Sequence, residues 1–264
     1  MLELERMAAA HWRGTQEEWL GEWLLRAADG FTGRANSALP LGDPGVPLDA
    51  ALDYVTGWYA ARGLPAMISV PLPLADDGPA AGVGTPTARL DAELTERGWR
   101  TRPGPALVMV ADLPLTVAEG PLPAGAVVLA DAEPDEAWLA RYHYRGTDTR
   151  PPVMREVLAS AREQAFISIR AESGVLAIAR LSLAGGWAGL TAVEVDPAHR
   201  RAGLGLAITT AACAEAVGRG VRRVFLQVAV DNAGARRLYE RCGFRYSHRY
   251  HYRVAPASGA FSLS

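Results

Sequence analysis

Two arginines and two glycines stand close together in the stretch HRRAGLGLA, residues 199–207. Gly203 and Gly205 let a backbone approach a ligand closely, and Arg200 and Arg201 can form charge-assisted hydrogen bonds. The stretch follows a predicted strand and opens a predicted helix, where unpaired N–H groups and the helix dipole favour an anion. It lacks the Gly-Lys-Ser/Thr of a P-loop and the third glycine of a dinucleotide fingerprint. It is therefore either a phosphate-binding loop of another kind or a charged surface turn.

The elements around this stretch follow a regular order. From Ala126 onward the patterns predict β-α-α-β-β-β-α-β-α-β and a mixed α/β sheet. WAGLTAVEV is the strand before the loop, and a helix follows from about Gly203 to Arg219, where Gly220 ends it. A second polar stretch, DNAGARRLYERCGF, comes after the next predicted strand.

Together, VEVDPAHRRAGLGLA and DNAGARRLYERCGF resemble the two signature segments of the GNAT superfamily of acetyl-CoA-dependent N-acetyltransferases. The first matches the family's Q/R-x-x-G-x-G/A loop through Arg200, Gly203 and Gly205. The second matches its N-x-x-A-x-x-L-Y-x-x-x-G-F pattern through Asn232, Ala235, Leu238, Tyr239, Gly243 and Phe244. The resemblance covers about residues 126–254.

The resemblance implies a GNAT acyltransferase fold, in which two adjacent parallel strands, here 190–195 and 224–230, separate after a bulge and hold acyl-CoA between them. Backbone N–H groups of 201–206 would hold the pyrophosphate, and the Val195 N–H would polarise the thioester carbonyl. The pantetheine would pair with the freed strand edge near Val193 and Val195. The implied cofactor-binding residues are Val193, Val195, Arg200, Arg201, Ala202, Gly203, Leu204, Gly205, Leu206, Asn232 and Ala235.

Two residues are candidates for catalysis. The resemblance makes Tyr239 a general acid that protonates the departing CoA thiolate; the alternative is a tyrosine that packs its helix on the sheet. Glu194 is the carboxylate nearest Val195 in sequence and a candidate base, although strand alternation can turn it away from the face of Val195. Some GNAT proteins carry a glutamate where this chain has Gln227, so a water relay or a solvated Glu194 are the alternatives.

The acceptor site is expected near YHYRGTDTRPP, residues 142–152, where Tyr142, Tyr144 and Asp148 are candidate substrate-binding residues or ordinary exposed loop residues. Cys213 lies within a helical pattern typical of a small buried thiol. We therefore expect direct transfer in a ternary complex, without a covalent enzyme intermediate.

Composition excludes several classes of function. All 27 basic residues are arginine, which excludes a Schiff-base lysine, and the formal charge of −2 gives no reason to expect a nucleic-acid or membrane partner. RYSHRYHYR is basic and aromatic, but its alternation is typical of a strand near a sheet edge. The absence of lysine, together with abundant Ala and Gly, suggests a GC-rich bacterial genome. Two cysteines without a CxxC pair and an N-terminus without an apolar h-region indicate a cytoplasmic protein. Five histidines without metal spacing predict no metal site. A monomer or homodimer is expected.

The Pro- and Gly-rich stretch before Ala126 predicts two domains: an N-terminal domain over 1–112, a linker over 113–125, a catalytic domain over 126–256 and a tail over 257–264. ARGLPAMISV and LTERGWR resemble GRGVRRVFLQV and LYERCGFR, which suggests a duplicated α/β unit or a coincidence between two ordinary ones. The first copy lacks the arginine–glycine loop and has Thr95 at the place of tyrosine, so it is interpreted as a degenerate GNAT-like unit. Within it, DGFTGRANSALPLG is predicted to form a pair of strands.

These patterns predict an N-acetyltransferase that moves acetyl from acetyl-CoA to a primary amine, either a small molecule or a peptide or protein N-terminus. The alternative is a non-catalytic acyl-CoA-binding sensor, which needs the phosphate loop but has no use for Tyr239 as an acid.

Overall fold

The computed structural model describes residues 1–74, 84–143 and 150–256. In chain order its elements are α1 (Leu2–Ala9), β1 (Gln16–Leu20), β2 (Trp23–Ala27), β3 (Leu39–Pro40), α2 (Leu48–Ala60), β4 (Met67–Leu72), α3 (Pro86–Glu96), β5 (Arg100–Asp112), β6 (Val127–Asp131), α4 (Glu136–Arg141), α5 (Val153–Leu158), β7 (Glu163–Ala171), β8 (Gly174–Ala184), β9 (Trp187–Val195), α6 (Leu204–Gly218), β10 (Arg223–Ala229), α7 (Ala233–Arg241) and β11 (Arg245–Val254).

The chain forms two compact units, each assembled from separate segments of the sequence. Unit 1 comprises Met1–Leu107, Pro152–Ser160 and the chain from Ser247 onward, and unit 2 comprises Val108–Pro151 and Ala161–Tyr246. β5 and β11 each begin in one unit and end in the other. The predicted domain limits at 112 and 126 differ from the limits of these compact units and remain predictions about the sequence domains.

Unit 1 has a core between α2 and its strands. The apolar residues of α2 recur at helical spacing, so one side of the helix is buried: Ala51, Leu52, Val55, Trp58 and Tyr59. β2 and β4 are buried along their whole length, which explains why neither shows the alternation of a half-exposed strand. β1, β2 and β3 form an antiparallel sheet, and β4 pairs antiparallel with residues 249–254 of β11.

The prediction of a pair of strands within DGFTGRANSALPLG was wrong, because Leu39–Pro40 is the only strand in that stretch. The Asn36 side chain holds the rest as a turn: its Oδ1 accepts the N–H groups of Ala28 at 2.8 Å and Gly30 at 2.9 Å. Thr32 adopts a φ of 62°, which a strand does not allow. The Asn36 side chain therefore binds backbone groups of this loop that would otherwise pair between two strands.

The chain from β6 to β11 confirms the predicted element order and the mixed sheet, although α5 and most of β11 belong to unit 1. The strands of unit 2 lie in the order β5-β10-β9-β8-β7-β6. β9 and β10 are parallel, whereas β6–β7, β7–β8 and β8–β9 are antiparallel. The helix α6 connects the two parallel strands, as a parallel pair requires a crossover.

The predicted bulge and strand separation are both present in unit 2. Between Ile178 and Arg180 of β8, the paired residues on β9 move from Glu194 to Thr191, so β9 carries one extra residue there. Ala192 lies within this bulge and has a φ of 53°. In the described chain, the β9–β10 register ends at Leu190 opposite Leu226, although both strands continue beyond it. The two strands therefore part beside the loop that opens α6.

The two units end corresponding helices in the same way. α3 stops before Gly98 and α7 before Gly243, and both glycines have positive φ. The aromatic residue after each glycine donates its N–H to the Leu94 carbonyl at 2.9 Å in unit 1 and to the Tyr239 carbonyl at 3.0 Å in unit 2. These capping bonds align Leu94, rather than Thr95, with Tyr239. Unit 1 thus has a buried leucine at the place of the tyrosine, and the duplication itself stays a hypothesis.

Candidate active site

The loop before α6 presents positive charge and free backbone donors. α6 begins after Gly203, whose φ is 85°, and Arg201 also lies in the left-handed region with a φ of 68°. The N–H groups of the first helical turn have no partner within a helix and are available to an anion. Arg200 and Arg201 are exposed; the Arg200 Nε donates to the Val195 carbonyl at 3.4 Å, and no carboxylate of the described chain pairs with either guanidinium.

Both glycines of the loop allow close packing. A Cβ at Gly205 would lie 3.0 Å from the Leu238 Cδ2, so Gly205 lets α6 approach α7. A Cβ at Gly203 would lie 2.7 Å from the Pro121 Cγ. Gly120, the residue before this proline, is equally confined, since its Cβ would lie 2.2 Å from the Ala207 backbone nitrogen. The stretch predicted as a linker therefore packs on the first turn of α6.

The end of β9 directs a backbone donor into the strand opening. The Asp196 N–H donates to the Leu176 carbonyl at 2.8 Å, towards β8. Because successive amides of a strand point to opposite edges, the Val195 N–H points towards β10, and so does that of Val193 on the basis of the same alternation. Val193 and Val195 are half-buried at this edge. Both positions fit the roles that the resemblance implies.

The Glu194 side chain contacts the chain just after α4. Its Oε1 accepts the backbone N–H of His143 at 2.6 Å, and its Oε2 lies 3.1 Å from the Nδ1 of the same histidine. Burial raises the pKa of Glu194, while the contacts with His143 and the charge of Arg141 lower it by less. Glu194 is therefore a half-buried, partnered carboxylate and is not the solvated strand residue of the alternative interpretation.

A second ion pair lies beside this carboxylate. Asp196, the residue after β9, accepts from the Arg141 Nη2 at 2.5 Å, and Arg141 is the last residue of α4. The His199 Nδ1 lies 3.9 Å from the Asp196 Oδ1. The Ala198 N–H, which bonds the Asp196 carboxylate, is the largest influence that lowers the pKa of Asp196. Asp196 is held in these contacts, which lower its pKa, whereas burial raises the pKa of Glu194.

Tyr239 is buried on α7, with 6% of its surface exposed. Its ring centroid lies 5.7 Å from that of Phe244. Burial raises the pKa of its phenol well above the ordinary value, so the hydroxyl keeps its proton at neutral pH. Asn232 caps the same helix, because its Oδ1 accepts the Ala235 N–H at 3.1 Å. Their contacts with a cofactor remain predictions.

The other candidates differ in position. Tyr142 is 5% exposed and its ring stacks on Trp138 with centroids 5.9 Å apart, so little of it is available to an acceptor. Tyr144 and Asp148 lie outside the described residues. Burial raises the pKa of Cys213 to about 12 and that of Cys242 to about 11, which disfavours a thiolate nucleophile at neutral pH.

Sequence analysis missed His143. It stands 51 residues from Glu194, and no local motif connects the two. Across residues 1–74, 84–143 and 150–256, no group of three His, Cys, Asp or Glu side chains is arranged to hold a metal ion. No helix in these ranges has the length and apolar character needed to cross a membrane.

Comparison with known proteins identifies relatives over almost the whole chain. The model of a family described as probable histone acetyltransferase Rv0428c C-terminal matches residues 1–253. The chain is 31% identical to the probable histone acetyltransferase Rv0428c of Mycobacterium tuberculosis (strain ATCC 25618 / H37Rv), over 97% of this chain and 74% of that protein. It is 25% identical to the uncharacterized N-acetyltransferase YobR of Bacillus subtilis (strain 168), over 96% and 97% of the two chains.

Solved structures share the fold. A GCN5-related N-acetyltransferase from Kribbella flavida superposes with a TM-score of 0.63 at 21% identity, over 95% of this chain and 93% of its own. A tandem GNAT protein from the clavulanic acid biosynthesis pathway gives 0.65 at 18% identity, over 83% and 74%. These likenesses confirm the predicted GNAT fold.

Proposed function

Because the chain belongs to the Rv0428c C-terminal family, within the GNAT superfamily of acetyltransferases, we propose that it transfers acetyl from acetyl-CoA directly to a primary amine. The chain is thus an acyltransferase, and the proposal concerns its donor, its acceptor and the residues that act. Acetyl transfer from CoA is the chemistry of the superfamily, so the question is whether the residues of this chain fit the donor.

The observation that carries the proposal is the separation of β9 and β10 beside the charged loop. The strands part beyond Leu190 and Leu226, and the first turn of α6 opens at the same end. Arg200 and Arg201 offer two cations to a pyrophosphate there. The pantetheine arm could add to the free edge of β9 as a further strand, because the backbone donors of Val193 and Val195 face that edge.

Three groups would perform the transfer. The amine nitrogen bonds to the carbonyl carbon of the thioester while the C–S bond breaks, and the Val195 N–H stabilises the negative charge that develops on the carbonyl oxygen. Glu194 takes one proton from the ammonium before attack, and Tyr239 gives its proton to the CoA thiolate. The second proton of the amine returns through solvent to Tyr239, so turnover releases an amide, CoA thiol and one proton.

The acceptor is a small-molecule amine or an amine of a peptide or protein. The name of the Mycobacterium tuberculosis relative refers to histones, so a lysine-containing peptide belongs in the acceptor panel beside a peptide with a free α-amine, a polyamine and an amino sugar. Turnover on any of these excludes the sensor alternative.

Calorimetry with acetyl-CoA tests the donor site. The double variant Arg200→Ala/Arg201→Ala should weaken binding about 10- to 100-fold, because each exposed, solvent-screened arginine contributes about 0.7–1.4 kcal/mol. Arg162→Ala is the matched control, since Arg162 is an exposed arginine of unit 2 without an ion pair in the described chain. An unchanged affinity in the double variant would place the phosphates elsewhere.

Thiol release with the acceptor panel tests the reaction. The wild-type chain should release CoA thiol only when an amine is present, in proportion to the amide formed. Acetyl-CoA binding without amine-dependent thiol release would instead support the sensor. A wild-type chain that binds no acetyl-CoA would contradict both functions.

A further inference from the structure

His143 is in contact with both oxygens of the Glu194 carboxylate. Its backbone N–H donates to Oε1 at 2.6 Å, and its ring Nδ1 lies 3.1 Å from Oε2. A single contact would let a carboxylate rotate about its last torsion, whereas two contacts from one residue fix both its position and its plane. Both side chains keep about a quarter of their surface exposed, 29% for His143 and 26% for Glu194. The pair is therefore ordered and still open to a substrate.

We propose that His143 is a positioning residue that holds Glu194 as the general base for the acceptor amine. The inference rests on the proposed acetyl transfer. Glu194 precedes Val195, whose N–H faces the strand opening, so the carboxylate and the carbonyl-polarising donor come from consecutive residues of β9. His143 lies just after α4, near the beginning of residues 142–152, where the acceptor is expected.

Of the charged groups near Glu194, His143 is the one that makes the described contacts with its carboxylate. On the α4 side the neighbours are His143 and Arg141, and Arg141 is paired with Asp196 at 2.5 Å. Beyond Asp196 along the chain, His199 faces that aspartate and makes no described contact with Glu194. On β8, the residue opposite Glu194 is the apolar Ile178. His143 is therefore the group that sets the orientation of the carboxylate.

In the proposed proton transfer, Glu194 takes one proton from the acceptor ammonium. One N–H bond of the ammonium breaks, its electron pair stays on nitrogen as the nucleophilic lone pair, and the proton forms an O–H bond with the Glu194 carboxylate. The resulting carboxylic acid loses that proton to solvent after the amide leaves. His143 changes no bond in this step; it keeps the accepting oxygen directed at the amine.

The experiment compares Glu194→Gln, His143→Leu and His143→Asn by kcat, KM and the pH dependence of kcat/KM. Glu194→Gln should lower kcat about 100-fold and abolish the acidic limb, because it keeps the shape and removes the base. His143→Leu should lower kcat about 10-fold with little change in KM for acetyl-CoA, because the base is misplaced. His143→Asn keeps a donor near the Nδ1 position and should recover most of the loss.

The pH profile separates positioning from mere stability. A base acts only when deprotonated, so kcat/KM falls as pH drops through the pKa of Glu194. Burial raises this pKa and the contacts with His143 lower it, so losing the ring contact must raise it further. The acidic limb of His143→Leu should therefore move to higher pH, and that of His143→Asn should return towards the wild-type position.

Three controls keep the outcomes distinct. Glu163→Gln makes the same chemical change at an exposed position on β7 and should leave the profile unchanged. Acetyl-CoA affinity and thermal unfolding of each variant show whether the donor site and the fold are intact. An unchanged acidic limb in either His143→Leu or Glu194→Gln would overturn the inference, and so would an Asn variant as slow as the Leu variant. Turnover by the wild type would uphold the acetyl transfer in each of these cases. No turnover in the wild type would overturn the proposed function itself, and with it this inference.

Discussion

Tyr239 has the properties that a general acid for thiolate needs, although nothing about its burial is specific to catalysis. A tyrosine of ordinary pKa is protonated at neutral pH, and burial raises the pKa of Tyr239 further, so its phenol carries a proton when a thiolate departs. A buried tyrosine usually has a hydrogen-bond partner, yet in the described chain its hydroxyl has none. A hydroxyl that contributes no internal hydrogen bond to the fold is available to a ligand.

Tyr239→Phe tests the role of the hydroxyl, because the substitution removes that one oxygen and keeps the ring. We expect kcat to fall about 100-fold, because the thiolate then leaves without its acid. The melting temperature should stay near that of the wild type, since the ring keeps its contact with Phe244 and no described hydrogen bond is lost. Tyr54→Phe, which removes a hydroxyl bonded to Glu18 in unit 1, is the matched control and should leave kcat unchanged. Full turnover in Tyr239→Phe would show that Tyr239 packs α7 on the sheet and is not the general acid.

Residues that act within a short motif could be predicted, and those that act across the fold could not. The Gly203 conformation and the exposure of the arginines follow from consecutive residues, because a strand–loop–helix junction is specified locally. The orientation of Glu194 depends on a bulge two residues earlier and on a partner 51 residues away. Strand alternation alone left the face of Glu194 open, since a bulge shifts which side each residue occupies.

At the scale of elements, the sequence predicted unit 2 better than unit 1. In unit 2, glycines stand at the turns between elements, as at Gly186, Gly203 and Gly220, so the hydrophobic pattern and the turn signals predict the same boundaries. In unit 1, β2 is buried on both faces and contains Arg26, which removes the usual alternation. β5 contains Pro103 and Pro105, and prolines argue against a strand, so it was not predicted. Burial decided β2 against its local pattern, whereas in β5 both prolines are exposed and the buried residues begin at Leu107.

The junction between the Pro-rich stretch and α6 gives a prediction about a single element. Gly203→Ala should lower stability by about 1–2 kcal/mol for the left-handed backbone. It should lower it further because the new methyl meets the Pro121 ring, and it should weaken acetyl-CoA binding by shifting the first turn of α6. Gly125→Ala is the matched control: Gly125 has a φ of 72° and open space around a Cβ.

Unfolding and calorimetry on the two alanine variants measure the difference. Equal losses of stability, with unchanged affinity in both, would show that the contact of Pro121 with Gly203 does not shape the donor site. A larger loss in Gly203→Ala on both measures would support the conclusion that residues 120–121 pack against the loop before α6 and help to shape the donor site.

At the scale of the whole molecule, unit 1 takes segments from both halves of the sequence. Residues 249–254 pair with β4, and His248 bonds the Glu5 carboxylate at 2.7 Å with both side chains buried. The hydroxyl of Ser160 accepts the Arg13 N–H at 3.1 Å. A boundary placed at a Pro-rich stretch therefore cuts through a unit that is continuous in space.

The predicted catalytic domain should consequently fail as an isolated fragment. A chain of residues 113–256, which is the predicted linker and catalytic domain, would leave His248 without its buried partner Glu5. It would also expose Tyr250 and Tyr252, which are 7% and 4% exposed in the full chain. We expect it to be insoluble or to unfold without cooperativity, whereas the full chain melts cooperatively. Co-expression of residues 1–112 as a separate chain should restore a soluble complex, because the missing contacts are non-covalent. A lone fragment that melts cooperatively and binds acetyl-CoA would instead establish the sequence boundary as a true domain limit.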